Sequence, residues 1–427
     1  MMNDPLVFTP AGAVRGARHE TGEVYRAVPY AVTPTGAGRF AAPVPHPGWR
    51  GVRDGTRPSP TAPQPARDFG RLDLTPYFGP GWVPGEYLTV DVHTPAAGDG
   101  KRPVMVFVHG GGFVTGSTTA SLYDGRSFAR DGVVLVKVNY RLGVPGFLDL
   151  PGAPPNRGLL DVIAALAWVR DTVAVFGGDP GNVTVFGQSA GATLVGALLA
   201  DSRARGLFRR AIMQSGTGSG AFTPEQAERV TAALADVLGV APEAFADVPD
   251  ERFVEALPSL AGLDLRTATA ADPLAGLSPF SLVLPVQPAD ALPDEPVDLL
   301  IGTNTEEGRL YLVPKGNLDT AAAESLGATL FGDGTERMIE AHGRAHVYSF
   351  GHRSTALDGR LGAAHTVELP FVFDVAGDPA LHGETGLLGP GEVPEQLAAD
   401  VHGAWISFAR TGDPGWDRWP VVKAFGH

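Results

Sequence analysis

Asn182 to Ala200 read NVTVFGQSAGATLVGALLA, a β-branched run that gives way, at a serine, to a run of alanine and leucine. The valines and threonine at 183–185 suit a pleated strand, and the residues from Ala190 onward suit a helix. Gly187, Ser189 and Gly191 form G-x-S-x-G at this junction, and the pattern occurs nowhere else in the chain. A strand that turns into a helix over so few residues needs strained backbone angles and close approach of neighbouring chain, so the flanking positions must lack bulky side chains. The turn lifts the hydroxyl clear of the sheet, and the helix aims its free N–H groups and positive dipole end at it. Ser189 is therefore a candidate nucleophile; the alternative is a plain turn serine that caps the helix.

Working outward, the short apolar runs PVMVFVH from Pro103, VVLVKVNY from Val133 and VDLLIGT from Val297 read as buried strands, and with Asn182–Phe186 they predict the centre of a parallel sheet. The stretch LLDVIAALAWVRDTVAVFGG has helical spacing and a glycine stop at Gly177, which makes a strand, helix, strand unit. A second helix is predicted from Thr223 as N-cap, with Pro224 in the first turn, Gln226 closing a capping box and a stop at Gly239. Leu397, Val401, Trp405 and Phe408 recur at helical spacing and should face the core. Thr61 to Tyr87 is rich in proline and glycine and suits a surface loop or a rim over a site.

A serine hydroxyl needs a base, and the base needs a carboxylate to orient it. The elbow geometry places acid and then histidine downstream of the serine. His342, His346, His352, His365, His382, His402 and His427 qualify by position, and Glu306 and Glu307 follow the strand at Val297. Sites form at the carboxyl ends of parallel strands, so either glutamate fits.

Composition narrows the function classes. The chain has 427 residues with 44% hydrophobic content, no linker and no apolar stretch long enough to cross a membrane, so one globular unit over 1–427 is expected. The opening MMNDPLVFTP has no basic start before an apolar core, which predicts a cytoplasmic protein. Zero cysteines exclude disulfides, thiolate metal sites and a cysteine nucleophile. A net charge of −14 without a basic run argues against nucleic acid as a partner. Gly111 to Gly116 has phosphate-loop spacing, but Ser117 stands where the lysine belongs, and Gly110, Gly112 and Gly116 miss the dinucleotide spacing by one residue.

GAVRGARHETGEVYRAVPYA near the start, then VFVHGGGF, VNYRLGVPGFL, FGGDPGNVTVFGQSAGA, RRAIMQSG, IGTNTEEG, AAHTVELPFVF and WISFARTGDPGW form an ordered series over nearly the whole chain. The series resembles the type B carboxylesterases, the family of para-nitrobenzyl esterases and cholinesterases. The resemblance implies the α/β-hydrolase fold: a central, mostly parallel sheet flanked by helices. It also implies a serine carboxylesterase acting on small-molecule alkyl or aryl esters through an acyl-enzyme, with no cofactor or metal. It selects Ser189 as nucleophile, Glu307 as acid and His365 as base, and it assigns the oxyanion hole to the N–H groups of Gly111, Gly112 and Ala190. Phe113, Leu310 and Tyr311 become expected pocket walls, and Gln188 and Ser215 expected supports of the triad. His109, Asn139 and Arg141 become structural residues. The same apparatus would serve amides, carbamates or thioesters. A non-catalytic cholinesterase-like binding module usually lacks a triad member, and all three are present here.

Three departures from the family pattern stand out. Gln188 replaces a glutamate inside the elbow, which removes a charge near the histidine and argues against choline-like specificity. The loop from Thr61 to Tyr87 lacks a tethering cysteine and should be more mobile. The 58 positions from Glu307 to His365 are few, which predicts a shortened helical cap and a more open cleft. Arg309 is read as a solvated side chain.

Overall fold

The computed structural model describes residues 4–98 and 100–427; the first three residues of the opening stretch lie outside them. Ten strands form the main sheet among these residues. They are β1 (Ala17–His19), β2 (Gly22–Pro29), β3 (Thr89–Thr94), β4 (Arg102–Val108), β5 (Val134–Val138), β6 (Gly178–Gln188), β7 (Arg210–Gln214), β8 (Asp298–Asn304), β9 (His346–Phe350) and β10 (Val422–Phe425). The spatial order is β10-β9-β8-β7-β6-β4-β5-β3-β2-β1. All pairs from β10 to β5 are parallel, and β3, β2 and β1 add an antiparallel edge. Each expected strand is present, and the expected parallel centre is the part that carries the elbow.

Both faces of the sheet are covered, which is why the strands read as continuous apolar runs rather than alternating ones. Along β4, Val104, Val106 and Val108 enter one core with Leu159, Val162, Leu166 and Val169 of helix α1 (Arg157–Thr172) and with Leu194 and Leu198 of α2 (Ala190–Ala200). Met105 and Phe107 enter the other with Leu397, Val401, Trp405 and Phe408 of the helix Glu395–Thr411. Helix α3 (Pro224–Leu238) begins at Thr223 with the expected capping box and ends at Gly239 in the left-handed conformation. The glycine stop at Gly177 is also left-handed, at φ 81°, after a short 3-10 turn.

The segment Thr61 to Tyr87 is more ordered than its composition suggests. Thr61 and Gln64 are buried, Thr75–Phe78 forms a helical turn, and Gln64 exchanges two hydrogen bonds with the backbone of Gly116, at 2.8 and 3.1 Å. A glutamine amide anchors one end of the loop here without a covalent tether. No helix among the described residues is long and apolar enough to cross a membrane.

Candidate active site

Ser189 sits between β6 and α2 at φ 58° and ψ −128°, a conformation that L-residues rarely adopt. The flanking glycines are required by space. A Cβ on Gly191 would lie 2.0 Å from the Val108 carbonyl oxygen, and one on Gly187 would lie 2.6 Å from the Gly191 carbonyl. The first turn of α2 thus rests on the end of β4, and the backbone N–H of Ser189 is held by Gln214 O at 2.9 Å.

The loop after β4 lies directly against the elbow. A Cβ on Gly110 would come within 3.0 Å of the Ser189 Cβ. Gly111 and Gly112 take φ of 124° and 62°, and Phe113 follows at 64°. Ser278 Oγ donates to Gly112 O at 2.6 Å, and Thr115 N–H and Val114 N–H both donate to Gly111 O, so the loop is fixed through its carbonyls. Among the described residues no hydrogen bond occupies the N–H of Gly111 or Gly112. His109, beside them, donates from Nδ1–H to Gly110 O at 2.8 Å and stacks on Tyr140 at 4.5 Å. Burial pulls its imidazole down to about 4, which keeps it neutral and structural.

His365 and Glu307 meet across 58 positions of chain. Nδ1 of His365 lies 2.5 Å from Glu307 Oε2, both side chains being almost wholly buried, and Glu307 Oε1 accepts from Asn304 N–H at 2.7 Å. Glu306 points elsewhere: it pairs with Arg309 at 2.8 Å and with Arg353, and it accepts from Ala363 N–H. Arg309 is therefore an ion-paired residue rather than a solvated one. The imidazole of His365 lies 10° from parallel to Phe331, 4.3 Å away, and Tyr311 flanks it at 5.8 Å. The side chains of His342, His346, His382 and His402 all engage backbone carbonyls, His352 packs on Phe350 and Phe371, and His427 lies against Gly351, which leaves His365 as the histidine beside the elbow.

The other ring nitrogen, Nε2 of His365, faces the Gln188 amide nitrogen at 3.1 Å, and the Tyr311 phenol interacts with the Ser189 hydroxyl. Burial pushes the Tyr311 phenol up, so it stays a neutral hydroxyl. Among the described residues no hydrogen bond joins Ser189 Oγ to His365 Nε2; such bonds commonly tighten only when substrate is bound. Ser215 is buried at φ 49° with its N–H on Gly302 O at 2.9 Å, but its hydroxyl has no partner, so it braces the backbone rather than the triad side chains.

Ser189, Gln188, Ala190, Gly111, Gly112, Phe113, Leu310, Tyr311 and His365 line one cavity of about 300 Å³, together with Arg67, Phe69 and Phe78 of the rim segment. Phe113 and Leu310 are walls on one side and core on the other, Phe113 packing edge-on against Phe147 at 4.9 Å. The region between Glu307 and His365 is not bare: it carries the helices Thr320–Gly327 and Asp333–His342 with a π-turn at Ala328–Gly332 between them. That π-turn delivers Leu330 and Phe331 to the cavity. Asn139 and Arg141 are held away from it. Asn139 bonds Thr118 N–H and Pro60 O, and Arg141 forms a fully buried pair with Asp161 at 2.7 Å. No group of histidine and carboxylate side chains among the described residues is gathered to hold a metal ion.

Behind the histidine is a second carboxyl that the sequence did not flag. Glu368 is 1% exposed, accepts from Asn304 Nδ2 at 2.7 Å and leaves Oε1 unpartnered. Burial first, and the Glu307 charge second, raise it to about 7.

A buried imidazole braced by a carboxylate, next to a hydroxyl raised on a strained turn and a loop of free N–H groups, is the equipment of a serine hydrolase on an α/β-hydrolase sheet. Comparison with known proteins agrees. The model of the carboxylesterase family matches residues 3–327. The phenmedipham hydrolase of Pseudarthrobacter oxydans is 35% identical, over all of this chain and 94% of its own. The para-nitrobenzyl esterase of Bacillus subtilis (strain 168) is 34% identical over 98% and 93%. Among solved structures, the carboxylesterase of Geobacillus stearothermophilus superposes with a TM-score of 0.82 at 31% identity, covering 98% of this chain and 93% of that one. The chain belongs to the carboxylesterase family. It is a serine-type carboxylic ester hydrolase with the α/β-hydrolase fold. The first of these alignments spans 470 positions for 427 residues, so that relative carries segments this chain lacks.

Proposed function

We propose that the chain acts as one hydrolase unit that cleaves small alkyl or aryl carboxylic esters through an acyl-enzyme on Ser189. The observation that carries this reading is the 2.5 Å contact between Glu307 and His365 beside the strained serine. Ser189 Oγ attacks the ester carbonyl carbon while His365 Nε2 takes the hydroxyl proton. The new oxyanion accepts hydrogen bonds from the N–H groups of Gly111, Gly112 and Ala190. Collapse of the tetrahedral species breaks the bond to the alcohol oxygen, which leaves with the proton from His365. Water then gives a proton to the same nitrogen and adds to the acyl carbon, and the acid departs as Ser189 recovers its proton. Glu307 holds Nδ1–H and stabilises the imidazolium in both halves. Gln188 must release His365 Nε2 for the Ser189 hydroxyl to reach it. The run of one sheet from Ala17 to Phe425 supports a single unit.

The test is p-nitrophenyl butyrate hydrolysis by wild type and Ser189→Ala, with a fluorophosphonate probe and mass spectrometry to locate the adduct. Turnover that vanishes in the variant, with the adduct on Ser189, is the expected result. Turnover that survives, or an adduct elsewhere, overturns the assignment.

A further inference from the structure

In a chain of net charge −14, the cavity that opens onto Ser189 is lined by two cationic side chains, Arg67 and Lys315, and one acidic one, Asp68. Arg67 is the unusual member. Its guanidinium lies 4.7 Å from the Phe69 ring and 5.5 Å from the Phe78 ring, which are themselves stacked at 5.3 Å. Planar aromatic faces hold a guanidinium in place while leaving its N–H fork open. Among the described residues no carboxylate lies within ion-pair distance of Arg67 and no acceptor takes its N–H groups. Many arginines elsewhere in the chain are paired, as with Arg39 on Asp250 at 2.9 Å and Arg266 on Asp264 at 2.7 Å, so a cavity-lining arginine without a partner is notable. Asp68, its neighbour in sequence, turns its Oδ1 onto Gly70 N–H at 2.7 Å instead.

Arg67 is exposed and lines the cavity, with enough protein around it for burial to lower its pKa. Its charge is felt at Tyr311, Tyr123 and His109, and Tyr311 interacts with the Ser189 hydroxyl. An unpaired fork of donors, held against two aromatic rings on the wall of the cavity that Ser189 also lines, is a receptor for a planar anion. We propose that Arg67 is a specificity residue, and that the preferred substrates are esters bearing a second, ionised carboxylate. That carboxylate pairs with Arg67 in the bidentate fashion while the scissile carbonyl sits at Ser189. This rests on the esterase reading above and adds to it the class of substrate.

The experiment uses two isosteric pairs. One varies the acyl half, mono-p-nitrophenyl adipate against its uncharged amide, p-nitrophenyl adipamate. The other varies the alcohol half, the butyrate esters of 4-hydroxyphenylacetic acid and of 4-hydroxyphenylacetamide. The quantity read is the ratio of kcat/KM, charged over neutral, in wild type, Arg67→Gln, Arg67→Lys and Lys315→Gln. Wild type should favour the charged member of at least one pair. Arg67→Gln should lower that ratio by about tenfold to a hundredfold, the usual worth of a hydrogen-bonded charge. Arg67→Lys should retain part of it, Lys315→Gln most of it, and 0.5 M salt should shrink it in wild type. A ratio that is the same in wild type and Arg67→Gln for both pairs, or one that falls only with Lys315→Gln, overturns the proposal. Absence of turnover on every ester together with no adduct on Ser189 would instead count against the esterase reading.

Discussion

Glu368→Gln separates the charge of a buried carboxyl from its shape. Folding raises Glu368 from an ordinary 4.5 to about 7, chiefly because burial disfavours the ionised form and secondarily because Glu307 lies close by. A carboxyl raised on folding binds its proton more tightly in the native state than in the unfolded chain. Its contribution is therefore complete below the unfolded value of 4.5, declines as pH climbs, and is lost above about 7. At about 1.4 kcal/mol per tenfold, the ionised side chain costs the fold on the order of 3 kcal/mol in alkaline solution. Glutamine keeps the volume, keeps an acceptor for Asn304 Nδ2 and never ionises. The difference in stability between variant and wild type should grow by that amount between pH 5 and pH 8. For a chain of this length that amounts to about 3 °C in melting temperature. Scanning calorimetry or urea unfolding of both proteins at half-unit pH intervals reads it, and the lowered histidines such as His109 contribute equally to both and cancel. A difference that stays constant from pH 5 to pH 8, or that grows toward acid, would refute the reasoning.

Gln188→Glu places a carboxylate where an amide now stands 3.1 Å from His365 Nε2. A negative charge at that range favours the protonated imidazole, so the acidic limb of the kcat/KM profile should move up by about one pH unit, with the loss of activity confined to neutral and acid pH. Phe331→Ala removes the ring stacked 4.3 Å from His365, and kcat should fall by about three- to tenfold, the worth of one aromatic pair, with a smaller change in KM; steady-state kinetics on p-nitrophenyl butyrate checks both.

What was legible in the sequence is what local chemistry dictates. The β-branched run before Ser189, the alanine and leucine after it and the glycines on either side need only neighbours in the chain to specify strand, turn and helix. The same holds for the capping box at Thr223 and Gln226, and for the helical stripe of Leu397, Val401, Trp405 and Phe408. Motif order carried the family, and with it Glu307 and His365 as expectations. Local chemistry left Glu306 and Glu307 equivalent; only the packed chain puts one on His365 and the other between Arg309 and Arg353. Phe331 reaches His365 because a π-turn redirects its side chain, and no spacing rule announces that turn. Glu368 looks like any glutamate in the sequence, and its raised pKa comes from burial beside Glu307. Arg67 sits in a proline-rich stretch that reads as a loop, and it matters because Gln64 pins that loop to Gly116 and thereby sets a cation on the wall of the cavity. Backbone preferences act over a few residues, so the sequence alone determined the elements and the elbow. The protonation states, the partners of charged groups and the walls of the cavity depend on contacts between residues tens to hundreds of positions apart, and these only the tertiary structure decided.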